Sequence, residues 1–245
     1  MPAKSHKRSS MPDYGVDAPR TGFTLIVAVI LVLAAALGLG IAPGNTAKQA
    51  SNIMLLFAGT GLFFIFLMIM YLRVEKFRHR NRMLNMLKWT GAEQVLDIGT
   101  GRGLLMIGAA KRLTTGKSVG VDIWAKRNMA GNANKATMAN VKLEQVKERV
   151  ELLTADAQDL PLANSSFDYV LSNLCLHNIP SKAGRIKACT EIERMLKPGG
   201  TALVSDLKHT AEYAAAFKNL GMEVSRSYAF LIAPLVLHIV KAVKK

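Results

Sequence analysis

The strongest pattern in the chain is a pair of long apolar segments near its start. Residues 23–42 and residues 53–72 contain no charged side chain. A helix rises by about 1.5 Å per residue, so each segment is long enough to cross a hydrocarbon layer of about 30 Å. The pattern predicts two membrane-spanning helices joined by a short loop at 43–52, which together form a transmembrane hairpin over residues 21–72.

Two other interpretations of these segments are weaker. The apolar core of a cleaved signal peptide has about 7–15 residues, and a signal peptide does not account for the second segment. A buried helix of a soluble domain normally has a polar face, and neither segment has one.

After residue 90 the pattern changes to short apolar strands that alternate with helices. This alternation is typical of an α/β domain in which helices cover both faces of a mostly parallel sheet. The predicted domain covers residues 91–245. Its seven strands are predicted at 94–98, 118–123, 150–155, 168–172, 201–206, 223–230 and 235–243, and its helices at 103–113, 132–145, 182–196 and 210–220. The last two strands, separated by Ala233 and Pro234, are predicted to form a hairpin.

A glycine-spaced loop, within the sequence QVLDIGTGRG at 94–103, connects the first strand of this domain to its first helix. Glycine allows positive φ and a close approach of the backbone to a bound molecule, and the free N–H groups at the start of the helix favour electron-rich ligand atoms. A dinucleotide-binding fingerprint, G-x-G-x-x-G, requires glycine where this chain has Leu104. The spacing found, G-x-G-x-G, indicates a different ligand.

Acidic residues accompany the first three predicted strands. Asp97 lies near the end of the first strand, Asp122 near the end of the second, and Asp156 directly after the third. Together with the glycine loop, this order resembles the class I S-adenosylmethionine (SAM) methyltransferases, whose motif has the form (D/E)-x-G-x-G-x-G. The resemblance covers residues 80–245. It implies a Rossmann-like sheet, SAM as the cofactor, and methyl transfer as the reaction.

The resemblance also implies roles for the residues of the loop. Asp97 is expected to hold the ammonium group of SAM, directly or through water, and Asp122 to accept hydrogen bonds from both ribose hydroxyls. Gly99, Gly101 and Gly103 are expected to pass beneath the methionine moiety.

The adenine ring is expected beyond the second and third strands. Ile123 or Trp124 packs on the ring, Asp156 accepts from the adenine amine, and Ala157 offers a backbone N–H. The alternatives are a helix N-cap role for Asp122 and a surface-loop role for Asp156.

The fourth predicted strand leads to the region where the methyl group meets its acceptor. The sequence FDYVLSNLCLHNI at 167–179, followed by MLKPGG at 195–200, resembles the small-molecule branch of the superfamily, including quinone C-methyltransferases. Asn173 is expected to contact the cofactor there. Because the sequence SNL at 172–174 departs from the N/D-P-P-Y/F motif of enzymes that methylate nucleobase or amide nitrogens, DNA and protein-glutamine acceptors are disfavoured.

A base is needed only when the acceptor must lose a proton, because the sulfonium of SAM is already activated. His177 follows the fourth strand and His209 follows the fifth, so both are candidate catalytic bases. A solvated or core histidine is the alternative for each. Tyr213 and Asn178 are candidate orienting groups.

The chain has two cysteines, Cys175 and Cys189, and they lack the spacing of metal ligands. No metal site is predicted, and both thiols are expected to be reduced and packed as small apolar groups. A covalent role for Cys175 is the weaker alternative.

Most of the formal net charge of +15 lies beside the apolar segments. Basic residues flank both outer ends of the hairpin, whereas its loop has only Lys48. Because basic residues stay on the cytoplasmic side, both termini and the catalytic domain are predicted to be cytoplasmic. Residues 1–20 are predicted to be a disordered basic tail, and residues 73–90 a juxtamembrane amphipathic helix. Anionic lipid headgroups are favoured over nucleic acid as the partner of these charges.

The predicted function is that of a membrane-anchored SAM-dependent methyltransferase. A span joined to the catalytic domain suits a small apolar acceptor taken from the lipid bilayer, such as an isoprenoid quinone, a phenolic or a lipid amine. The alternatives are a non-catalytic SAM-binding membrane protein, acting as a sensor or assembly factor, and a methyltransferase of RNA or of a membrane protein. The sequence leaves the methylated atom and the oligomeric state open.

Overall fold

The computed structural model describes residues 11–15, 19–125, 133–230 and 236–245. Its first helices, α1 (Pro19–Ile41) and α2 (Asn45–Met70), pack side by side as a hairpin. The helical stretches Gly22–Ile41 and Asn45–Asn85 are each long and apolar enough to cross a membrane, and few of their side chains are buried inside the protein. Side chains such as Phe57, which is 67% exposed, form the apolar outer surface of the hairpin.

The loop of the hairpin is shorter than the predicted 43–52. Helix α2 begins at Asn45, so only residues 42–44 connect the two helices. The polar residues after Asn45 extend the helix because Ala47, Lys48 and Gln49 are all good helix formers.

Small side chains line the contact between α1 and α2. Ala36 and Ala58 are fully buried there, and the Ser51 hydroxyl donates a 2.8 Å hydrogen bond to the carbonyl of Ala36. A Cβ atom added at Gly61 would lie 2.4 Å from a methyl carbon of Val29. The two helices therefore approach each other closely enough to need glycine at this position.

The second apolar helix continues beyond its predicted end. A single π-helical segment, Tyr71–Glu75, follows α2, and helix α3 (Lys76–Asn85) follows without a break. The helix ends short of the predicted residue 90. Its apolar side chains hold α3 against the following domain, so the hairpin and the domain share one continuous helix.

The domain is a seven-stranded, mostly parallel sheet with helices on both faces, as predicted. Its strands are β1 (Gln94–Ile98), β2 (Lys117–Asp122), β3 (Val150–Thr154), β4 (Phe167–Asn173), β5 (Leu196–Asp206), β6 (Glu223–Phe230) and β7 (Val236–Val243). Its helices are α4 (Leu104–Ala110), α5 (Asn134–Leu143), α6 (Lys182–Met195) and α7 (Thr210–Asn219). The strand order is β3-β2-β1-β4-β5-β7-β6, and β7 alone runs antiparallel to both of its neighbours.

Two boundaries of the predicted domain elements differ from the structure by three residues or more. Strand β5 begins at Leu196 rather than 201, because the chain around Gly199 and Gly200 exchanges backbone hydrogen bonds of 2.9 and 3.0 Å with Lys244 at the end of β7. Helix α4 ends at Ala110 rather than 113. Strands β6 and β7 pair as the expected hairpin, while the turn residues at 233–234 lie outside the described residues.

The two faces of the sheet carry separate cores. Met83 and Leu84 of α3 and Leu105 of α4 pack on one face, in a cluster that includes side chains of β1, β4, β5 and β7. Ile192 of α6 and Phe217 of α7 pack on the other. The sheet therefore holds the carboxyl ends of β1, β2 and β4 side by side at one edge, where ligands of such folds bind.

Substitution of Gly61 tests the close contact within the hairpin. We expect Gly61→Val to lower the free energy of unfolding by about 1–3 kcal/mol, because its side chain overlaps Val29. Gly59→Val is the matched control, since an added Cβ at Gly59 meets nothing within 4 Å. Thermal unfolding in detergent micelles measures both; equal midpoints for the two variants would contradict the packing described.

Candidate active site

A cavity of about 1140 Å³, measured out to its open mouth, lies at the carboxyl ends of β1, β2 and β4. Eight of the nine residues predicted to bind the cofactor line its wall: Asp97, Gly99, Gly101, Asp122, Ile123, Asp156, Ala157 and Asn173. The sheet edge thus gathers side chains that are up to 76 positions apart in the sequence.

The glycine loop forms the floor of this cavity in a conformation that favours glycine. Gly99, Gly101 and Gly103 have φ values of 73°, 51° and 84°. A Cβ at Gly99 would lie 2.2 Å from the Cys175 sulfur, so the loop packs directly on the chain after β4. Gly103 precedes α4, where an added Cβ would come within 3.2 Å of side chains from α4 and α5. Gly103 therefore lies behind the loop, between the loop and helices α4 and α5.

Asp97 is buried beneath the loop, with 2% of its surface exposed. Its Oδ2 atom accepts hydrogen bonds from the Thr100 hydroxyl (2.8 Å) and the Met106 N–H (2.9 Å). Burial raises the pKa of Asp97 to about 7, helped by the neighbouring charge of Asp122 and opposed by these two hydrogen bonds. Among the described residues Asp97 has no ion-pair partner.

The raised pKa of Asp97 has a consequence for stability. The unfolded carboxyl ionises near pH 4, so between about pH 4 and 7 the folded chain holds a proton that the unfolded chain has lost. The unliganded protein therefore loses stability as the pH rises through this window. A cationic group bound beside Asp97 would offset that loss, which makes this carboxylate suited to the ammonium group of SAM.

The Asp122 side chain connects two turns to the end of β2 through hydrogen bonds. Its Oδ2 accepts from the Gly101 N–H at 2.8 Å, and its Oδ1 accepts from the Trp124 N–H at 2.6 Å. A carboxylate can accept about four hydrogen bonds, and the role of Asp122 toward ribose hydroxyls stays a prediction. The N-cap of the next described helix, α5, is Ala133, which excludes Asp122 as the cap of that helix.

The two residues proposed to pack on adenine have different surroundings in the structure. Ile123 lies in the cavity wall and is 54% exposed. Trp124 instead donates from its indole N–H to the Thr154 hydroxyl at 2.7 Å. Asp156 accepts from the backbone N–H of Gln158 at 2.9 Å, and Ala157 stands beside it in the wall. Ile123 is therefore the better placed of the two side chains for a ring.

The structure puts the two candidate bases in different settings. His177 Nδ1 lies 2.5 Å from Oδ1 of the fully buried Asp206, and the His177 N–H donates to Oδ2 of the same carboxylate at 3.0 Å. The Tyr213 hydroxyl also contacts Asp206, at 3.3 Å. His209 is exposed and precedes α7 with a φ of 61°. Asn178 lines the cavity, whereas these two histidines lie outside its wall, and their catalytic roles stay predictions.

The sequence analysis missed the part of the wall that comes from the N-terminal region. Tyr14, Tyr71 and Lys76 line the cavity. Arg102 of the glycine loop, to which the sequence analysis gave no role, lines it as well. Tyr71 comes from the π-helical segment, and Lys76 begins α3. Aromatic residues at the ends of membrane spans are commonly interpreted as interfacial anchors. The sequence alone therefore does not show whether Tyr71 has that role or lines the cavity.

Residues 11–15, which we call the N-terminal strap, were expected to be part of a disordered tail. They instead pack on the domain. Asp13 exchanges two hydrogen bonds with the Asn140 side chain, of 2.9 and 2.8 Å, and forms an ion pair with Arg102. Tyr14 is buried, with its hydroxyl 2.6 Å from Glu144 and its ring edge against Phe77. A single aromatic residue in a polar tail was the only sequence signal for this contact.

The Asp97 assignment predicts how SAM affinity depends on pH. We expect the affinity to rise from about pH 5.5 to 7.5, as Asp97 ionises, and to fall above about pH 8, as the amino group of SAM loses its proton. Isothermal titration calorimetry across this range measures both limbs. In the Asp97→Asn variant the rise in SAM affinity on the acidic side should disappear, whereas the Asp156→Asn variant should retain it. A wild-type affinity that is constant below pH 7.5 would refute the assignment.

The Asp122 assignment predicts a loss of SAM affinity with the fold retained. Asp122→Ala removes a charged acceptor of ribose hydroxyls and two bonds that shape the loop, so we expect binding to weaken about ten- to a hundredfold. Asp159→Ala removes an exposed carboxylate from outside the cavity wall and serves as the control. Calorimetry and thermal unfolding measure the two effects; equal affinities in both variants would contradict the role given to Asp122.

Comparisons with known proteins agree with this geometry. A family model described as "Methyltransferase domain" matches residues 96–204. The chain is 35% identical over 118 residues to sterol 4-C-methyltransferase strm-1 of Caenorhabditis elegans, which covers 48% of this chain and 32% of that protein. It is 34% identical over 108 residues to demethylmenaquinone methyltransferase of Staphylococcus aureus, which covers 44% of this chain and 40% of that protein. The chain thus spans less than half the length of either relative.

A solved structure shares the fold over a larger part of the chain. The SAM-dependent methyltransferase from Aquifex aeolicus superposes with a TM-score of 0.54 and 17% identity, covering 67% of this chain and 89% of that one. The family match falls on the strands and loops that build the cavity, and the shared fold covers a larger part of the chain. On these grounds residues 96–204 are a methyltransferase domain, and the fold is that of the SAM-dependent methyltransferases.

Proposed function

We propose that this protein is a membrane-anchored methyltransferase that transfers the methyl group of SAM to a small, lipid-soluble acceptor of the quinone or sterol class. One observation carries the proposal. The helix that leaves the apolar hairpin runs unbroken into the domain and puts Tyr71 in the wall of the cavity. An acceptor dissolved in the bilayer therefore has a short path to the methyl group.

Packing fixes the hairpin relative to this cavity. Tyr71 is 7% exposed and belongs to the same core cluster as Leu171 of β4 and Leu203 of β5. Leu67 and Leu72, at the end of the second apolar helix, pack against that cluster. Because side chains of the hairpin and of the sheet share one core, the cavity keeps a constant position relative to the membrane surface.

The N-terminal strap supports a single-sided topology. It precedes α1, yet it contacts Arg102 and Asn140 of the domain. This contact supports a hairpin that begins and ends on the same side of the membrane. The basic residues at both outer ends favour the cytoplasm as that side by the positive-inside rule.

The residues of the chain can perform the steps that methyl transfer requires. SAM supplies an activated methyl group when bound. Asp97 and Asp122 orient the cofactor, and apolar groups such as Leu174 and Ile179 in the cavity wall exclude water. His177 is the proposed base where a phenol or enol must lose a proton. Asp206 holds its Nδ1, which leaves Nε2 as the proton acceptor, and the side chain would have to reach the acceptor from outside the cavity wall.

The names of the relatives favour the same class of acceptor. Sterols and demethylmenaquinone are both large apolar molecules with few polar groups, which suits a wall that joins Tyr14 and Tyr71 to aliphatic side chains. The mouth of the cavity is open, so we expect the reactive ring of such an acceptor to enter it while a long apolar tail stays in the lipid.

Reconstitution tests the function. The full chain in lipid vesicles, given SAM with a labelled methyl group, should label demethylmenaquinol or a sterol included in the bilayer. Tyr71→Ala should lower this turnover about tenfold, because the variant opens the wall nearest the membrane, while Phe66→Ala, which changes an exposed side chain of α2, should not. SAM binding without labelling of any lipid would favour the role of a non-catalytic SAM-binding protein.

A further inference from the structure

His79 is a buried histidine that the chemistry above does not use. It lies on α3, is 2% exposed, and its Nε2 atom is 2.8 Å from the hydroxyl oxygen of Ser205 on β5. Burial, together with the charge of Arg82, lowers the pKa of His79 to about 4. The imidazole is therefore neutral at physiological pH, with one ring nitrogen that carries a proton and one that does not.

Two of the buried polar atoms that lack a hydrogen-bond partner among the described residues belong to α3 and to the end of β4. They are Nδ1 of His79 and Oδ1 of Asn173. The two side chains interact, since contact with Asn173 favours the charged form of the imidazole. Unpaired buried polar atoms are unfavourable, and a hydrogen bond between these two would satisfy both.

We propose that His79 is a positioning residue that fixes the Asn173 amide as a hydrogen-bond donor toward the cavity. Ser205 donates from its hydroxyl to Nε2, and His79 donates from Nδ1–H to Oδ1 of Asn173. The amide nitrogen of Asn173 then faces the cavity, whose wall this residue forms.

A fixed N–H donor at this point recognises an oxygen atom of a bound ligand. Two oxygens meet the description, given the function proposed above. One is the carboxylate of SAM, and the other is a hydroxyl or carbonyl of the acceptor. Either oxygen could accept a hydrogen bond from the Asn173 amide, so the geometry identifies the ligand atom as an oxygen. The experiment must determine whether that oxygen belongs to SAM or to the acceptor.

The position of His79 connects this donor to the membrane helix. His79 lies on the helix that continues from α2, whereas Asn173 and Ser205 lie on the sheet. The same helix that anchors the domain therefore orients a polar group of the active site. A residue of the anchor, which lies outside the family match at 96–204, thus completes the site.

Three variants test the proposal in the full chain. His79→Leu removes the ring but keeps much of its volume. His79→Asn places an amide nitrogen close to the position of Nδ1 and should restore the donor to Asn173. Met83→Leu, which changes another fully buried side chain of α3, is the control for packing. Thermal unfolding of each variant verifies the fold.

Binding and turnover identify the ligand oxygen. If it belongs to the SAM carboxylate, His79→Leu should weaken SAM binding about tenfold by calorimetry and leave the binding of decarboxylated SAM unchanged. If it belongs to the acceptor, SAM binding should be unchanged and the KM for demethylmenaquinol should rise about tenfold. In either case His79→Asn should recover most of the loss, and His79→Leu should add little in an Asn173→Ala background.

The tautomer of His79 gives a measurement that does not depend on any transfer activity. Nitrogen-15 spectra of the histidine-labelled chain in detergent, assigned with the His79→Leu variant, should show the proton on Nδ1. A proton on Nε2 would overturn the proposal. Equal effects of His79→Leu and Met83→Leu on binding and turnover would also overturn it. Full additivity of the effects of His79→Leu and Asn173→Ala would do the same. Absence of turnover with every acceptor would count against the proposed function, while the tautomer would still decide the role of His79.

Discussion

The unbroken helix from residue 45 to residue 85 is the constraint on which the arrangement of this protein depends. Its first part is apolar on all sides, and its last part buries Met83 and Leu84 in the core of the sheet. A flexible linker at this junction would let the domain rotate freely above the hairpin. The π-helical segment at 71–75 keeps the helix continuous and turns Tyr71 and Lys76 toward the cavity, a use of π-helical turns that is frequent at functional sites.

The cofactor end of the cavity concentrates carboxylates that a protein without a cationic ligand would avoid. Asp97 and Asp122 are both buried, and the charge of Asp122 adds to the cost of ionising Asp97. The Thr100 hydroxyl and the Met106 N–H offset part of this cost by donating to Asp97, and the Gly101 N–H donates to Asp122. Hydrogen bonds thus connect the glycine loop to both carboxylates.

The sequence predicted the parts of the protein that local pattern determines. Strands β1 to β7 and the order of Asp97, Asp122 and Asp156 along them could be found because strand patterns and turn residues are local signals. The strap and the pairing of His79 with Asn173 could not, because each joins residues that are far apart in the sequence: Asp13 and Asn140 are 127 positions apart. His79 in particular is one of several polar residues of α3, and only its burial distinguishes it from them.

The cavity has two walls with different origins, and this difference bears on what relatives can reveal. The residues predicted to hold SAM, from Asp97 to Asn173, lie inside the matched region 96–204. Tyr14, Tyr71 and Lys76 lie before it, in the strap and in the helix that continues from the apolar hairpin. The predicted cofactor site is thus built from the part of the chain that matches the methyltransferase domain, whereas the N-terminal wall is supplied by the part that the match leaves out. If that wall contacts the acceptor, specificity for the acceptor evolves in the N-terminal region, independently of the fold that is predicted to bind SAM.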